Sequence, residues 1–239
     1  MPMKRSKFFL IMSVIFLAVV LVGFTRSLYL SSYFEFPDLP FHLILHGIVL
    51  TIWFLLAAVQ PILIATNKTK THKKLGLTGY SIIVAVVAVS LLTLLIRDIP
   101  TIDEFPGRSS GNLLSLFIFS FCAILGLRFR AKPAMHKRLM ILASIPILAP
   151  ATDRVIRIPV LNDFFGKILF WFPGPPEIAF ATIFFLGMII AVVVNDLISE
   201  KRVHAGTLWG LGIIFIVAPA ATAALTLSGA WAAFVRFTM

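Results

Sequence analysis

The sequence predicts an all-α, polytopic transmembrane helix bundle: seven spans in a single domain over residues 1–239, with the N-terminus cytoplasmic and the C-terminus outside. Three observations carry this expectation. Of the 239 residues, 59% are hydrophobic and 13% charged, against roughly 45–50% and about 25% in soluble domains, so one water-soluble core cannot bury this chain. Seven apolar stretches approach the roughly 20 residues that a helix needs to cross the hydrocarbon core. The basic residues concentrate on alternate connections, as the positive-inside rule requires.

The first stretch, Phe8 to Tyr29, follows Lys4, Arg5 and Lys7. It is longer than the roughly 7–15 residues of a signal-peptide apolar region and lacks a clear small-x-small cleavage site, so it reads as a membrane helix. The next three run from Phe41 to Ala65, Leu75 to Ile96 and Leu113 to Phe129, and the last three from Ala134 to Ile156, Ile178 to Ile198 and Thr207 to Phe234. Pro61, Pro146, Pro150 and Pro219 lie in or near spans, where neighbouring groups can satisfy the carbonyls that a proline frees at a kink. Between the fifth and sixth spans, Pro159 to Pro176 is apolar but broken by Asn162, Asp163, Gly166, Pro173 and Gly174. Its Phe164, Phe165, Phe170, Trp171 and Phe172 suit a short helix lying in the outer interface or an apolar loop packed on the bundle.

Charge counting supports the seven-span arrangement. With the N-terminus inside, 14 of the 21 Lys and Arg residues face the cytoplasm, joined by Asp196 and Glu200, so the two sides carry +12 and −1. The net +11 is therefore topological, and nucleic acid is excluded as a partner. The expected partners are the lipid bilayer, anionic headgroups at the cytoplasmic face, and another membrane protein or a second copy of the chain. Cys122 has no cysteine partner in the sequence and forms no intrachain disulfide.

Ionisable groups inside a bilayer are costly and point to function. They gather in two layers. The outer layer holds Arg26, His42, His46, Asp153, Arg154 and Arg157. His42 and His46 are one helical turn apart, and His46, Trp53 and Gln60 recur every seven residues, so the four share a stripe facing protein. Asp153 and Arg157 have the spacing of an intrahelical pair, leaving Arg154 for headgroups or another partner. His46 and Asp153 fall at similar depth and are expected to share a pocket, either as a ligand site or as a polar clamp between helices. His46 is the leading candidate for ligand or proton acceptor, with Trp53 and Gln60 lining the same cavity.

The inner layer shows a weak repeat: His72-Lys73-Lys74-Leu75-Gly76, His136-Lys137-Arg138-Leu139-Met140 and His204-Ala205-Gly206-Thr207 each place a histidine where a helix begins. Three imidazoles at one depth, with Asp196 nearby, can converge on a transition metal, and three protein ligands with an open position describe a hydrolytic zinc site. Headgroup contact at a basic helix entrance is the simpler alternative. Haem is the other cofactor these histidines can serve. His42 and His46 share a helix face and cannot clamp opposite sides of one haem, whereas two of His72, His136 and His204 can, and Arg26, Arg154 and Arg157 offer partners for propionates.

The order F-x-R-S-x-Y (Phe24 to Tyr29), H-G-x-x-x-T-x-W-x-x-x-x-x-x-Q (His46 to Gln60), H-K-K-L-G (His72 to Gly76) and H-K-R-L-M (His136 to Met140), followed by P-A-T-D-R (Pro150 to Arg154), resembles a group of uncharacterised bacterial inner-membrane proteins. The resemblance covers the first five spans and implies a multi-pass protein of the bacterial inner membrane. The H-[KR]-x-[LM] entries are also similar to loop motifs of membrane haem cytochromes and of assembly factors for haem-copper oxidases. That implies a haem or redox metal held in the bundle, in a redox or assembly role. Transmembrane di-haem cytochromes, however, place paired histidines within several spans, a pattern this chain lacks.

Two other seven-span classes are tested by single residues. Retinal chemistry needs a lysine in the last span, and Thr207 to Phe234 contains none. Adiponectin-receptor and ceramidase-like hydrolases use a histidine pair on that span, where this chain has His204 alone, preceding it. A zinc-dependent membrane hydrolase thus remains an alternative by topology, beside a non-catalytic structural or lipid-interacting protein.

Overall fold

A computed structural model describes residues 7–98, 106–169 and 175–237, whose regular structure is helical with no strand. The order is α1 (Phe8–Phe24), α2 (Phe41–Ala65), α3 (Thr69–Asp98), α4 (Pro106–Arg128), α5 (Pro133–Ser144), α6 (Ala149–Ile156), α7 (Pro159–Ile168), α8 (Pro176–Glu200), α9 (Ala205–Gly212), α10 (Ala218–Leu227) and α11 (Ala230–Phe237). Seven helical stretches are long and apolar enough to cross a membrane, and they coincide with the predicted spans. The chain is an integral membrane protein with an all-α, seven-span bundle.

Departures from straight helices have local causes. In the fifth span, Pro146 and Pro150 each lack the N–H that would continue the ladder, and the span becomes α5, a 3₁₀ turn over Pro146–Leu148, and α6. In the seventh, a π-helical stretch over Ile213–Val217 precedes Pro219 and joins α9 to α10. Pro61, by contrast, sits within a continuous α2. The last span is shorter than predicted: it ends at Leu227, because Gly229 takes φ 71° and turns the chain into the separate α11. The third helix begins earlier than predicted, so His72, Lys73 and Lys74 lie on its first turns.

The fifth span is the hub. Leu139, Leu142, Ala143, Ile145 and Leu148 are buried, surrounded by Phe16 from α1, Phe54 from α2, Phe119 and Cys122 from α4, Val192 from α8 and Ala218 from α10. Lipid supplies no hydrophobic drive between helices, so close approach of small residues holds such a bundle together. Gly23 is the clearest case. A Cβ there would stand 2.5 Å from the carbonyl oxygen of Ala151, so α1 and α6 pack backbone to backbone.

The segment between the fifth and sixth spans forms α7, on which Val160, Phe164 and Ile168 are exposed at i, i+4 and i+8. These three side chains form one apolar face, the kind that an interfacial helix carries. Phe170, Trp171, Phe172, Pro173 and Gly174 of the same predicted segment lie outside the described residues.

Candidate functional site: the basic end of the bundle

The turns α2–α3, α4–α5 and α8–α9 bring most of the basic residues to one end of the bundle, and the densest polar contacts lie there. Arg138, on α5, is 1% exposed. Its Nε donates to Asp196 Oδ1 at 2.8 Å, its Nη2 to Glu200 Oε1 at 2.6 Å, and its Nη1 to the Ala134 carbonyl at 2.8 Å. Asp196 is fully buried, and its second oxygen accepts from the His204 backbone N–H at 3.0 Å and from Thr207 Oγ1 at 2.5 Å. Every polar atom of the pair thereby gains a partner, the condition under which buried charges are tolerated. The network fastens the fifth, sixth and seventh spans, and Phe9 of α1 covers it, with the Arg138 guanidinium 5.7 Å and the Lys137 ammonium 4.5 Å from its ring centroid.

The three inner histidines have different surroundings. His136 Nδ1 lies 2.8 Å from the carbonyl of Gly126 on α4. A carbonyl only accepts, so a neutral His136 carries its proton on Nδ1 and keeps a lone pair on Nε2. His72 is held by Gln60: with its amide oriented to satisfy both neighbours, Gln60 donates to His72 Nδ1 and accepts from the Gly76 N–H at 3.2 Å. His72 and His136 are close enough to act on one another electrostatically. His204 stands apart, in the Arg138 and Asp196 network. It is the N-cap of α9, its Nδ1 accepting from the Gly206 N–H at 2.8 Å. Burial, and then the charge of Arg138, hold the His204 imidazole below its usual pKa.

The expected three-histidine convergence is therefore not what the fold builds. His72 and His136 lie within electrostatic range of each other, while His204 is committed to capping and Asp196 to Arg138. Among the described residues no group of three or more His, Cys, Asp or Glu side chains is arranged to hold a metal ion.

At the opposite end the predicted Asp153 and Arg157 pair forms, with Nη2 to Oδ1 at 3.0 Å, and Arg157 also reaches Glu177 of α8 at 3.6 Å. The Asp153 carboxylate raises the Arg157 pKa. Arg154 lies over the Phe24 ring at 4.6 Å and donates to the Pro150 carbonyl at 2.8 Å, and the exposed Arg26 lies 5.4 Å over Phe34. These cations are satisfied locally by carboxylate, carbonyl and aromatic faces.

The outer stripe divides along its length. His46 rests against the backbone of Val89 on α3, its buried Nδ1 has no hydrogen-bond partner, and His42 lies within electrostatic range. Trp53 is in the core, donating to Ser144 Oγ at 3.2 Å and meeting Phe119 edge-on. Gln60 belongs to the basic end with His72. Of the two residues expected to share a pocket, Asp153 is bound to Arg157 on α6, which packs mainly on α1 and α8, and His46 rests against α3. Gln60 lies far from both: seven residues rise about 10 Å, so a heptad stripe on a spanning helix runs from one membrane face to the other.

Sequence reasoning placed Arg138 among solvated loop cations and missed it as a buried centre. The available signal was the spacing of Asp196 and Glu200, one turn apart at the end of an apolar helix, a pair of acids that demands a cation.

Comparison of the chain with family models, curated proteins and solved structures gives no match.

Proposed function

We propose that this is a multi-pass protein of the bacterial inner membrane that binds a haem or a redox-active transition metal at its basic, cytoplasmic end, with His136 as the first ligand and His72 as the second imidazole. The observation that carries this reading is the hydrogen bond between His136 Nδ1 and the Gly126 carbonyl, 2.8 Å long. A ligating histidine characteristically donates its other ring N–H to a carbonyl or carboxylate, which fixes the ring and strengthens the free nitrogen as a base. Gln60 also fixes the His72 ring, but by donating to Nδ1, so a neutral His72 carries its proton on Nε2 and would ligate through Nδ1 in place of that hydrogen bond.

Haem is favoured over zinc. One or two imidazoles suffice for axial ligation of haem iron, whereas zinc takes three or four protein ligands, a set not found among the described residues. The bound group would supply electron transfer. The chain's own residues fix two imidazoles at the end of the bundle, and the Arg138 network holds the end of α5 that carries His136. A redox or assembly role in the membrane follows from such a site.

The test is the absorption spectrum and metal content of protein purified from membranes in mild detergent. A Soret band or near-stoichiometric iron or copper is expected. A transparent, metal-free protein would leave a structural or lipid-interacting role.

A further inference from the structure

Between α3 and α4, at the basic end, runs an open groove of about 960 Å³. Its wall is apolar, formed by Ile83, Val84, Ile124 and Leu127, and its rim carries Arg128 and Arg130 from the end of α4 and the turn that follows. Val84 is 67% exposed and Ile124 59%, so no described residue covers that part of the wall, while the buried Ile83 forms its floor. The Arg130 guanidinium lies 5.6 Å over the Tyr80 ring, which holds it at the rim. Among the described residues no Asp or Glu lines the groove.

These features select one occupant by chemistry. A small soluble anion would pair with the guanidiniums and leave the apolar wall bare. A plain acyl chain would cover the wall and leave two cations unpaired. A phospholipid does both, and phosphate accepts the paired N–H donors of arginine in a well-defined geometry. A zwitterionic choline headgroup would bring a second cation against the rim, so charge complementarity favours a net anionic lipid. Basic pockets between spans on the cytoplasmic side are the recurrent setting for anionic headgroups.

We infer that this groove is a binding site for an anionic diacyl phospholipid, its phosphodiester between Arg128 and Arg130 and one acyl chain along Val84, Ile124 and Leu127. The site is independent of the histidine pair, and its occupancy does not require a cofactor.

The experiment follows the thermal midpoint and the bound-lipid count of the purified full chain during titration with phosphatidylglycerol or phosphatidylcholine. Native mass spectrometry supplies the count. Phosphatidylglycerol should raise the midpoint and remain bound, and phosphatidylcholine should do neither. Arg128→Gln with Arg130→Gln should weaken phosphatidylglycerol binding about tenfold or more, the effect of losing roughly 1.4 kcal/mol. Val84→Trp, which fills the groove and keeps both arginines, should do the same. Lys201→Gln with Arg202→Gln removes equal charge from the same end outside the groove and should leave binding within about twofold, well under that interval. Equal responses to the two lipids, an unaffected Val84→Trp, or an equal loss in the Lys201 and Arg202 variant would overturn the assignment.

Discussion

Arg138 and Asp196 form an ion pair in which Nη2 and Oδ1 stand 2.6 Å apart and both side chains are withdrawn from the surface. A buried charge that loses its partner is far more costly than the intact pair is favourable. Asp196→Ala leaves Arg138 with Glu200 alone and strips the acceptor from the His204 N–H and Thr207, so it should destabilise the protein by about 1–3 kcal/mol, read as a lower thermal midpoint and reduced monodisperse yield in detergent. Arg138→Met combined with Asp196→Leu should cost less than the sum of the single changes. Additive losses would show that the two side chains act independently.

Close packing of α1 on α6 makes Gly23 intolerant of any side chain. Backbone atoms of Ala151 cannot move aside as a side-chain tip can, so Gly23→Ala should separate the helices and lower the thermal midpoint. Gly187→Ala is the control, because nothing lies within 4 Å of a Cβ there. It should be neutral or stabilising by up to about 1 kcal/mol, the helix-propensity gain of alanine.

Acidification should loosen the α8–α9 junction through His204. Its folded-state pKa is lowered, chiefly by burial, so below the unfolded value near 6.5 the folded protein binds fewer protons than the unfolded chain. The stabilisation is present above that value and is lost as pH falls through and below it. Protonation of Nδ1 also removes the acceptor that caps α9. Thermal midpoints should fall between about pH 7.5 and about pH 5.5. His204→Asn, which caps without titrating, should flatten that fall; an unchanged slope would assign it to another group.

Orientation follows from the charge asymmetry. Reporter fusions after Thr71, Pro133 and Val203 should read cytoplasmic, and those after Ile102 and Phe164 should read outside. One clear inversion would contradict the N-inside arrangement.

The spans were legible because each is governed by a bulk property, the length of apolar sequence against bilayer thickness, and the Asp153 and Arg157 pair because it is local to one helix. The site was less legible, since lateral packing decides it. Heptad spacing grouped His46, Trp53 and Gln60 on one stripe, yet depth assigns them to α3, to the core and to His72 in turn. A shared depth suggested that His72, His136 and His204 converge, but the bundle leaves the first two within electrostatic range of each other and turns the third into a helix cap. Arg138 reads as one more loop cation in H-K-R-L-M. Only the packing of the fifth span against the sixth and seventh shows it to be a buried centre.

The central claim is that His136, oriented by Gly126, holds a cofactor. Its most direct test is the absorption spectrum and metal content of purified wild-type, His136→Ala and His46→Ala proteins at matched monodispersity. The account predicts a Soret band or near-stoichiometric iron or copper in the wild type, its loss in His136→Ala and its retention in His46→Ala. Loss in His46→Ala with retention in His136→Ala would move the site to the opposite end of the bundle, and a colourless, metal-free wild type would contradict the claim outright.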